Sequence, residues 1–286
     1  MDNMQKIPVF FTFDANYLLA AKVAIHSMMK HASRQYWYEL YVFHTTLSPK
    51  AQQSLRNSLK EFTHTELHFI DVTQYNEKIK NFGTKAHYSK EIFYKLIATD
   101  VLPQYDRIIC SDVDVVFTGD FSPVFFMFPN EKFYYAGVGP VENSRMPYYR
   151  KDFSTTEMEI LEHEIAAGFL LINLKELRND HKQEEIINFY VNNYPRLRLP
   201  EQDCIILTCW PYIKYLPIDY SLPISFYRLN MNQRDFYQGN TEFAGDKATA
   251  LAKFNKGLAH PVQIHYAGFD KPWNLSLIHI SEPTRH

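Results

Sequence analysis

Short β-prone runs alternate with helical segments through the first half of this chain, and this alternation most constrains its fold. The β-prone runs lie at residues 7–13, 38–44 and 67–72 and from residue 106. Helical spacing of apolar residues occurs at 17–32, after Ser48-Pro49 and at 91–102. This alternation predicts an α/β fold, with a mainly parallel twisted sheet covered by helices on both faces.

The length and composition fit one large domain. The chain has 286 residues, of which 46% are hydrophobic, and this is enough for one large α/β core. In the second half the pattern predicts a strand at 133–138, a compact apolar run at 167–173 and a helix at 183–193. We therefore predict that residues 1–275 form one domain. The tail at 276–286 resembles translated sequencing-adaptor sequence, so we predict that it is non-native.

Charge and cysteine content exclude several classes of protein. The formal net charge is -2, whereas a nucleic-acid-binding domain usually carries a basic face. The three cysteines form no Cys-x-x-Cys pair, and their odd number is typical of a reducing cytosol. No apolar run approaches the roughly 18 residues that span a bilayer, and the amino terminus lacks a signal-peptide layout. We predict a soluble cytoplasmic protein with no nucleic-acid partner.

Two aspartates follow one of the predicted strands. Asp112 and Asp114 come directly after the apolar run that ends at Ser111. In an extended chain, residues two apart project to the same side, with Cα atoms roughly 6.6 Å apart. Ligands of parallel sheets gather beyond the carboxyl ends of the strands. The pair therefore predicts a divalent cation that holds a phosphate, although Asp-x-Asp also occurs by chance in solvated loops.

A second polar cluster follows the β-prone run at 262–264. It comprises His265, Gly268 and Lys271, spaced three residues apart. An imidazole can complete a metal's shell, a glycine lets the backbone approach an anion, and a lysine supplies positive charge. A lone histidine after a strand is more often a core or surface residue, but its occurrence with Asp112 and Asp114 favours a metal and phosphate site.

Together with the strand-end segment around Asp14, these motifs make the chain similar to glycosyltransferase family eight from residue 9 to 273. The family contains retaining enzymes such as bacterial lipopolysaccharide galactosyl- and glucosyltransferases and glycogenin. The resemblance implies a GT-A nucleotide-diphospho-sugar transferase fold, a UDP-sugar donor and a saccharide acceptor, in envelope lipopolysaccharide or another glycan. It also implies Mn²⁺, with Mg²⁺ as the alternative, and a cytoplasmic enzyme in peripheral contact with the inner face of the membrane.

The resemblance further implies roles for individual residues. Asp112, Asp114 and His265 match the metal ligands, and Tyr17 is placed to stack on uracil. Gly268 and Lys271 match a diphosphate clamp. The remaining residues expected to bind UDP or the sugar are Thr12, Asp14, Asn16, Lys95 and Val113.

Several positions depart from the family's pattern around the sugar. Ala166 stands where an asparagine usually holds the sugar, and Glu201 replaces a shorter aspartate. Lys95 occupies a position that is commonly arginine, and so lacks a bidentate fork. The acid that the family often has near Pro140 is missing, and the nearest here is Glu142. The choice between glucose and galactose is therefore left open.

Gln202 and Glu201 are the candidate catalytic residues at the reacting face of the sugar, either for front-face delivery of the acceptor or for a covalent intermediate. The same pair also fits a charged helix start after Pro200. Two other functions remain as alternatives. A nucleotide-sugar-binding protein without catalysis would account for Ala166, and a metal-dependent phosphoesterase could use the two aspartates but would leave the uridine-like segment unexplained.

Overall fold

A large mixed sheet forms the centre of the molecule. The structure, a computed structural model, describes residues 4–80, 82, 89–142, 151–268 and 271–274. Its main sheet has seven strands in the order β3-β2-β1-β4-β7-β6-β8. These strands are β1 (Lys6–Thr12), β2 (Trp37–His44), β3 (Thr65–Asp71), β4 (Arg107–Ser111), β6 (Tyr135–Val138), β7 (Phe169–Asn173) and β8 (Ile213–Leu216).

The predicted parallel arrangement is confirmed in the first half and modified in the second. Strands β1 to β4 pair parallel to one another. Strand β7 runs antiparallel to both β4 and β6, whereas β6 and β8 are parallel. The sheet is therefore mostly parallel with one reversed strand, which the apolar run at 167–173 did not reveal because a buried strand reads alike in either direction.

Three short strands form a second sheet beside the first. They are β5 (Val115–Phe117), β9 (Leu222–Pro223) and β10 (Gln263–His265), in the order β5-β10-β9. Strand β10 pairs antiparallel with β5 and parallel with β9. The side chain of Gln263 is buried and donates to the Ser111 hydroxyl at 3.0 Å, which ties this small sheet to the end of β4.

Helices cover both faces of the main sheet. They are α1 (Leu18–His31), α2 (Pro49–Asn57), α3 (Asn76–Ile79), α4 (Ala98–Val101), α5 (Thr155–Leu161), α6 (Leu174–Asn179), α7 (Lys182–Asn193), α8 (Pro200–Cys209) and α9 (Lys247–Ala259). Neighbouring residues of β4 pack into different cores, since Ile109 lies in one buried cluster and Ile108 and Cys110 in the other. This alternation confirms that both faces of the sheet are covered.

One predicted helix differs in type from the structure, and another starts where it was predicted to start. The segment predicted as a helix at 91–102 is a 3-10 helix over Lys90–Ile97, followed by the short α4. Helix α2 starts at Pro49 with the Ser48 hydroxyl as its cap, as predicted, and ends at Asn57.

In the described part of the chain no helix is long and apolar enough to span a bilayer. The predicted non-native tail at 276–286 lies outside the described residues.

Candidate active site

The aspartate pair lies where two strands diverge. Asp112 follows β4, and its backbone N–H donates to the carbonyl oxygen of Gly168 at 2.9 Å, which extends the β4–β7 ladder by one residue. Asp114 directly precedes β5, which belongs to the small sheet. Both side chains remain partly accessible, at 24% and 15% of their surface. The pair therefore lies at the carboxyl end of a central strand, as predicted.

Pairing of β10 with β5 brings His265 to the aspartates. His265 is opposite Val115 in this ladder, and the next residue, Tyr266, donates its N–H to the Asp114 carbonyl at 2.9 Å. As a result His265 Nε2 lies 3.2 Å from Asp114 Oδ1 and 3.7 Å from Asp112 Oδ2. One ligand atom from each residue lies within 4.8 Å of the others. Two carboxylate oxygens and one imidazole nitrogen so close together fit a divalent cation such as Mn²⁺ or Mg²⁺.

Gly168 leaves the space that His265 fills, and sequence reasoning did not single it out as a site residue. A Cβ atom on Gly168 would lie 2.6 Å from both Cε1 and Nδ1 of His265, and 3.4 Å from Asp112 Oδ2. A Cβ atom essentially never lies 2.6 Å from another heavy atom, so any side chain at position 168 would displace the imidazole. The sequence signal for Gly168 is its place in the Ala-Ala-Gly block at 166–168, directly after Ala166.

Two lysines hold the other oxygens of the aspartates. Lys95 Nζ lies 2.7 Å from Asp112 Oδ1, and Lys271 Nζ lies 2.5 Å from Asp114 Oδ2. The oxygens that face His265 are Asp112 Oδ2 and Asp114 Oδ1. Each carboxylate therefore turns one oxygen to an ammonium group and the other to the candidate metal position, which fixes the rotation of both side chains.

The charges of this cluster shift its pKa values in a consistent way. Burial by itself raises the pKa of Asp114, but His265 and Lys271 outweigh burial and hold it below its usual range. Burial lowers the pKa of His265, and the carboxylates of Asp114 and Asp112 overcome that effect and raise it. Burial likewise lowers the pKa of Lys95, yet Asp112 and Glu201 raise it overall. The opposite charges in this cluster thus stabilise one another, which holds the side chains of Asp114, His265 and Lys95 together.

Lys95 is more deeply buried than expected for a ligand-binding residue. Its side chain is 2% exposed, and it donates to the carbonyl of Ala167 at 3.0 Å and to Glu201 Oε1 at 3.2 Å. Lys95 is not among the described residues that line the neighbouring cavity. The structure therefore places Lys95 behind the aspartate and glutamate, where it orients them.

A cavity of about 430 Å³ opens beside the candidate metal position. Among the predicted ligand-binding residues it is lined by Thr12, Tyr17, Val113, Gly268 and Lys271. The Tyr17 ring packs edge-on against Trp273, with ring centres 5.8 Å apart. Gly268 has a φ of 102°, a backbone conformation that residues other than glycine rarely adopt.

Asp14 and Asn16 have a local role in the structure. Asp14 Oδ1 accepts the backbone N–H groups of Asn16 and Tyr17 at 2.9 and 3.3 Å, and Asp14 Oδ2 accepts from the Asn16 side chain at 3.2 Å. Neither is among the described residues that line the cavity. They form the turn that presents Tyr17 to it.

The first turn of α8 carries the predicted catalytic pair to the cavity wall. Glu201 and Gln202 both line the cavity. Glu201 is 7% exposed, and its Oε2 atom has no hydrogen-bond partner among the described residues. The α8 start is held by Asp203, whose Oδ2 accepts the N–H groups of Arg198 and Leu199 at 2.6 and 3.0 Å. The helix start therefore fixes Glu201 and Gln202 at the wall.

A second cavity of about 230 Å³ adjoins the first. The two share a wall that consists of Ala166, Gln202, Pro223, Ser225 and Phe226. Glu142 lines the second cavity, but its carboxylate pairs with Arg234. Glu164 also lines it, and nothing in the sequence pattern had marked this residue. Two adjoining cavities with Gln202 in their common wall could hold two molecules side by side.

The mostly parallel sheet with an aspartate pair at its centre defines a GT-A type fold, the fold of nucleotide-diphospho-sugar transferases. The model of glycosyl transferase family 8 matches residues 8–276, so the chain belongs to this family and is a glycosyltransferase. Comparison with curated proteins gave no significant match.

Solved structures share the fold at low sequence identity. The bifunctional glycosyltransferase WbbM aligns with 94% of this chain at a TM-score of 0.71 and 22% identity, and the chain spans 47% of WbbM. An active-site mutant of LgtC aligns with 94% of this chain over 90% of its own length, at a TM-score of 0.70 and 16% identity. Mouse xyloside xylosyltransferase 1 aligns with 94% of this chain over 99% of its own length, at a TM-score of 0.61 and 14% identity. Another LgtC structure contains donor and acceptor sugar analogues.

Proposed function

We propose that this chain is a retaining, metal-dependent hexosyltransferase that moves glucose or galactose from a UDP-sugar to a saccharide acceptor. The observation that carries this proposal is the convergence of Asp112 Oδ2, Asp114 Oδ1 and His265 Nε2 beside a cavity lined by Tyr17. Family membership supports glycosyl transfer. We further propose that the donor is a UDP-sugar, that a divalent metal is required and that the acceptor is a saccharide.

Electrostatics supports a cation between the aspartates and a diphosphate. A carboxylate about 4 Å from a phosphate charge is repelled by roughly 4 kcal/mol at an effective dielectric near 20. Asp112, Asp114 and His265 would hold the metal, Mn²⁺ in our proposal, with Mg²⁺ as the alternative. When bound, the metal supplies neutralisation of the charge that develops on the departing UDP.

The chain's own residues would bind the rest of UDP. The Tyr17 ring is half-buried at the cavity wall and can stack on uracil, with Trp273 supporting its edge. The backbone at Gly268 can approach the diphosphate closely. Lys271 is 6% exposed and donates to Asp114 and to the Tyr266 carbonyl, so its ammonium is already oriented at the place where a diphosphate would meet the metal.

The sugar would lie against the first turn of α8. Glu201 Oε2 is a buried acceptor at the cavity wall, and a sugar hydroxyl is a donor of suitable size and strength for it. Gln202 lies on the wall that the two cavities share, so in this proposal it would face the reacting side of the sugar. We assign the second cavity to the acceptor saccharide, because it adjoins the first cavity at this wall.

Calorimetry with UDP tests the metal and nucleotide parts of the proposal. In the presence of Mn²⁺ we expect UDP to bind, and with chelator we expect binding to weaken by about a hundredfold or more, since two carboxylates then face the diphosphate. Asp112→Asn and Asp114→Asn should abolish turnover and leave the secondary structure intact by circular dichroism, because both side chains lie beyond the carboxyl end of β4. Equal UDP affinity with Mn²⁺ and with chelator would show that no metal bridges the site.

Donor use is measured by UDP release from several UDP-sugars, with a range of saccharide acceptors. We expect release that depends on Mn²⁺ and increases with an acceptor. Ala166 lines both cavities where the family has a sugar-binding asparagine, so a nucleotide-sugar-binding protein without catalysis is the second candidate. Mn²⁺-dependent UDP binding without turnover on any donor and acceptor would favour that second function.

A further inference from the structure

We propose that Glu164 is a positioning residue that fixes the side-chain amide of Gln202 at the junction of the two cavities. This inference rests on the proposed function, because it assigns Gln202 to the reacting face of the sugar. Gln202 Nε2 donates to Glu164 Oε2 at 3.0 Å, and the residues are 38 positions apart in the chain. Glu164 lies in no motif of the sequence analysis.

The two contacts of Gln202 determine which way its amide points. At its other end, Gln202 Oε1 accepts the backbone N–H of Ala167 at 3.3 Å. A backbone N–H requires an acceptor and a carboxylate requires a donor, so only one of the two amide orientations satisfies both partners. Among the described residues, removing Glu164 would leave the longer Ala167 contact alone to hold the amide.

The backbone around Glu164 is rigidly held. Its own N–H donates to the carbonyl of Leu161 at 3.2 Å, at the end of α5, and Ala166 donates to Val138 in β6 at 2.8 Å. The adjacent His163 ring stacks on Trp210 with ring centres 3.9 Å apart, at the far end of α8. The segment 163–166 is thus attached to the main sheet and to α8, and Gln202 lies near the start of α8. Glu164 can therefore hold the Gln202 amide with little freedom.

Glu164 is a charged residue that is largely buried, at 7% exposure. The charge makes the hydrogen bond to Gln202 stronger and more directional than a neutral acceptor would, which is useful where an amide must be held against a moving sugar.

Four variants separate this role from alternatives. Glu164→Leu removes the acceptor, and Glu164→Gln retains an acceptor oxygen without charge. Gln202→Glu places two carboxylates together. The double variant Glu164→Gln/Gln202→Glu exchanges the partners, so that the introduced amide donates to the introduced carboxylate, and the Ala167 N–H still donates to that carboxylate. The readouts are kcat and donor KM, measured by UDP release with Mn²⁺ and acceptor, and the melting temperature.

We expect Glu164→Leu to lower kcat roughly 10- to 100-fold while donor KM changes by less than about threefold, since the amide is misplaced but the UDP contacts remain. Glu164→Gln keeps an acceptor oxygen for the Gln202 amide without the charge, so its kcat should lie between those of the wild type and Glu164→Leu. The double variant should recover part of the activity that Gln202→Glu loses. A merely structural role would lower the melting temperature of these variants without a selective loss of kcat.

Three outcomes would overturn the proposal. They are an unchanged kcat in Glu164→Leu, a Glu164→Gln variant as impaired as Glu164→Leu, and a double variant no better than Gln202→Glu. If the wild-type protein turns over no donor, the proposed function fails instead. The pair is then judged by melting temperatures, where the double variant must melt above Gln202→Glu, and equal melting temperatures would overturn the contact.

Discussion

The absence of a side chain at one position determines how the candidate metal site is built. Gly168 lies opposite Asp112 at the end of the β4–β7 ladder, and the imidazole of His265 occupies the space that a Cβ atom would need. The two residues are far apart in the chain, yet a side chain at position 168 would displace His265. Gly168 is therefore as important to the site as the candidate ligands themselves.

We predict that Gly168→Ala weakens Mn²⁺-dependent UDP binding by about tenfold or more, because the new methyl group displaces His265 from the aspartates. Calorimetry measures this, with His265→Ala as the reference. Since both changes remove the same ligand, the double variant should bind no more weakly than His265→Ala alone. Additive losses would show that Gly168 acts on UDP by a route other than His265.

At the scale of elements, helix α5 leads into the turn that carries Glu164. The helix begins with a capping box, in which the Ser154 hydroxyl accepts the N–H of Glu157 and the Glu157 carboxylate accepts the N–H of Ser154. Glu157 also pairs with Arg196 at 2.6 Å. The hydrogen bond from Arg196 lowers the pKa of Glu157 to about 2. This short helix thus depends strongly on its first turn.

We predict that Ser154→Ala destabilises the protein by about 1 kcal/mol through loss of the cap, which lowers the melting temperature by roughly 2–3 °C. Thermal unfolding followed by circular dichroism measures the change. Ser154→Thr keeps the hydroxyl and should melt close to the wild-type temperature. A threonine variant as unstable as the alanine variant would argue against the capping contact.

At the scale of the whole molecule, the half-buried residue Glu242 links two distant segments of the chain. Glu242 Oε2 accepts the N–H of Ile218 at 2.9 Å, and the Glu242 carbonyl accepts from Lys253 in α9 at 2.8 Å. Burial, together with the nearby Asp219 carboxylate, raises the pKa of Glu242 to about 7. The folded protein therefore binds this proton more tightly than the unfolded chain does.

The sign of the effect on stability follows from this pKa. Stabilisation by protonated Glu242 is fully present below the unfolded value near 4.5 and is lost as the pH rises towards 7. We predict that Glu242→Gln raises the melting temperature at pH 8 by roughly 2–5 °C and changes it little at pH 4.5, since glutamine resembles the protonated acid. Melting curves at both pH values measure the difference. An equal shift at both values would show that ionisation of Glu242 is not responsible.

Local patterns in the chain were sufficient for much of the fold. Apolar periodicity placed β1, α1, β2 and β3 to within one or two residues, and Asp112 and Asp114 at the end of β4. Periodicity failed at Lys90–Ile97, because a 3-10 helix buries residues at nearly the same spacing as an α-helix. It also carried no information on the direction of β7.

The sequence by itself determined the α/β class, the family and the identity of the candidate metal ligands, because each depends on residue types at short spacing. Only the tertiary structure decided how these residues meet. Pairing of β10 with β5 joins segments some 150 residues apart, since His265 lies opposite Val115. The roles of Gly168, Lys95 and Glu164 depend on such contacts between distant segments, which local periodicity does not encode, since it reports only which face of an element is buried.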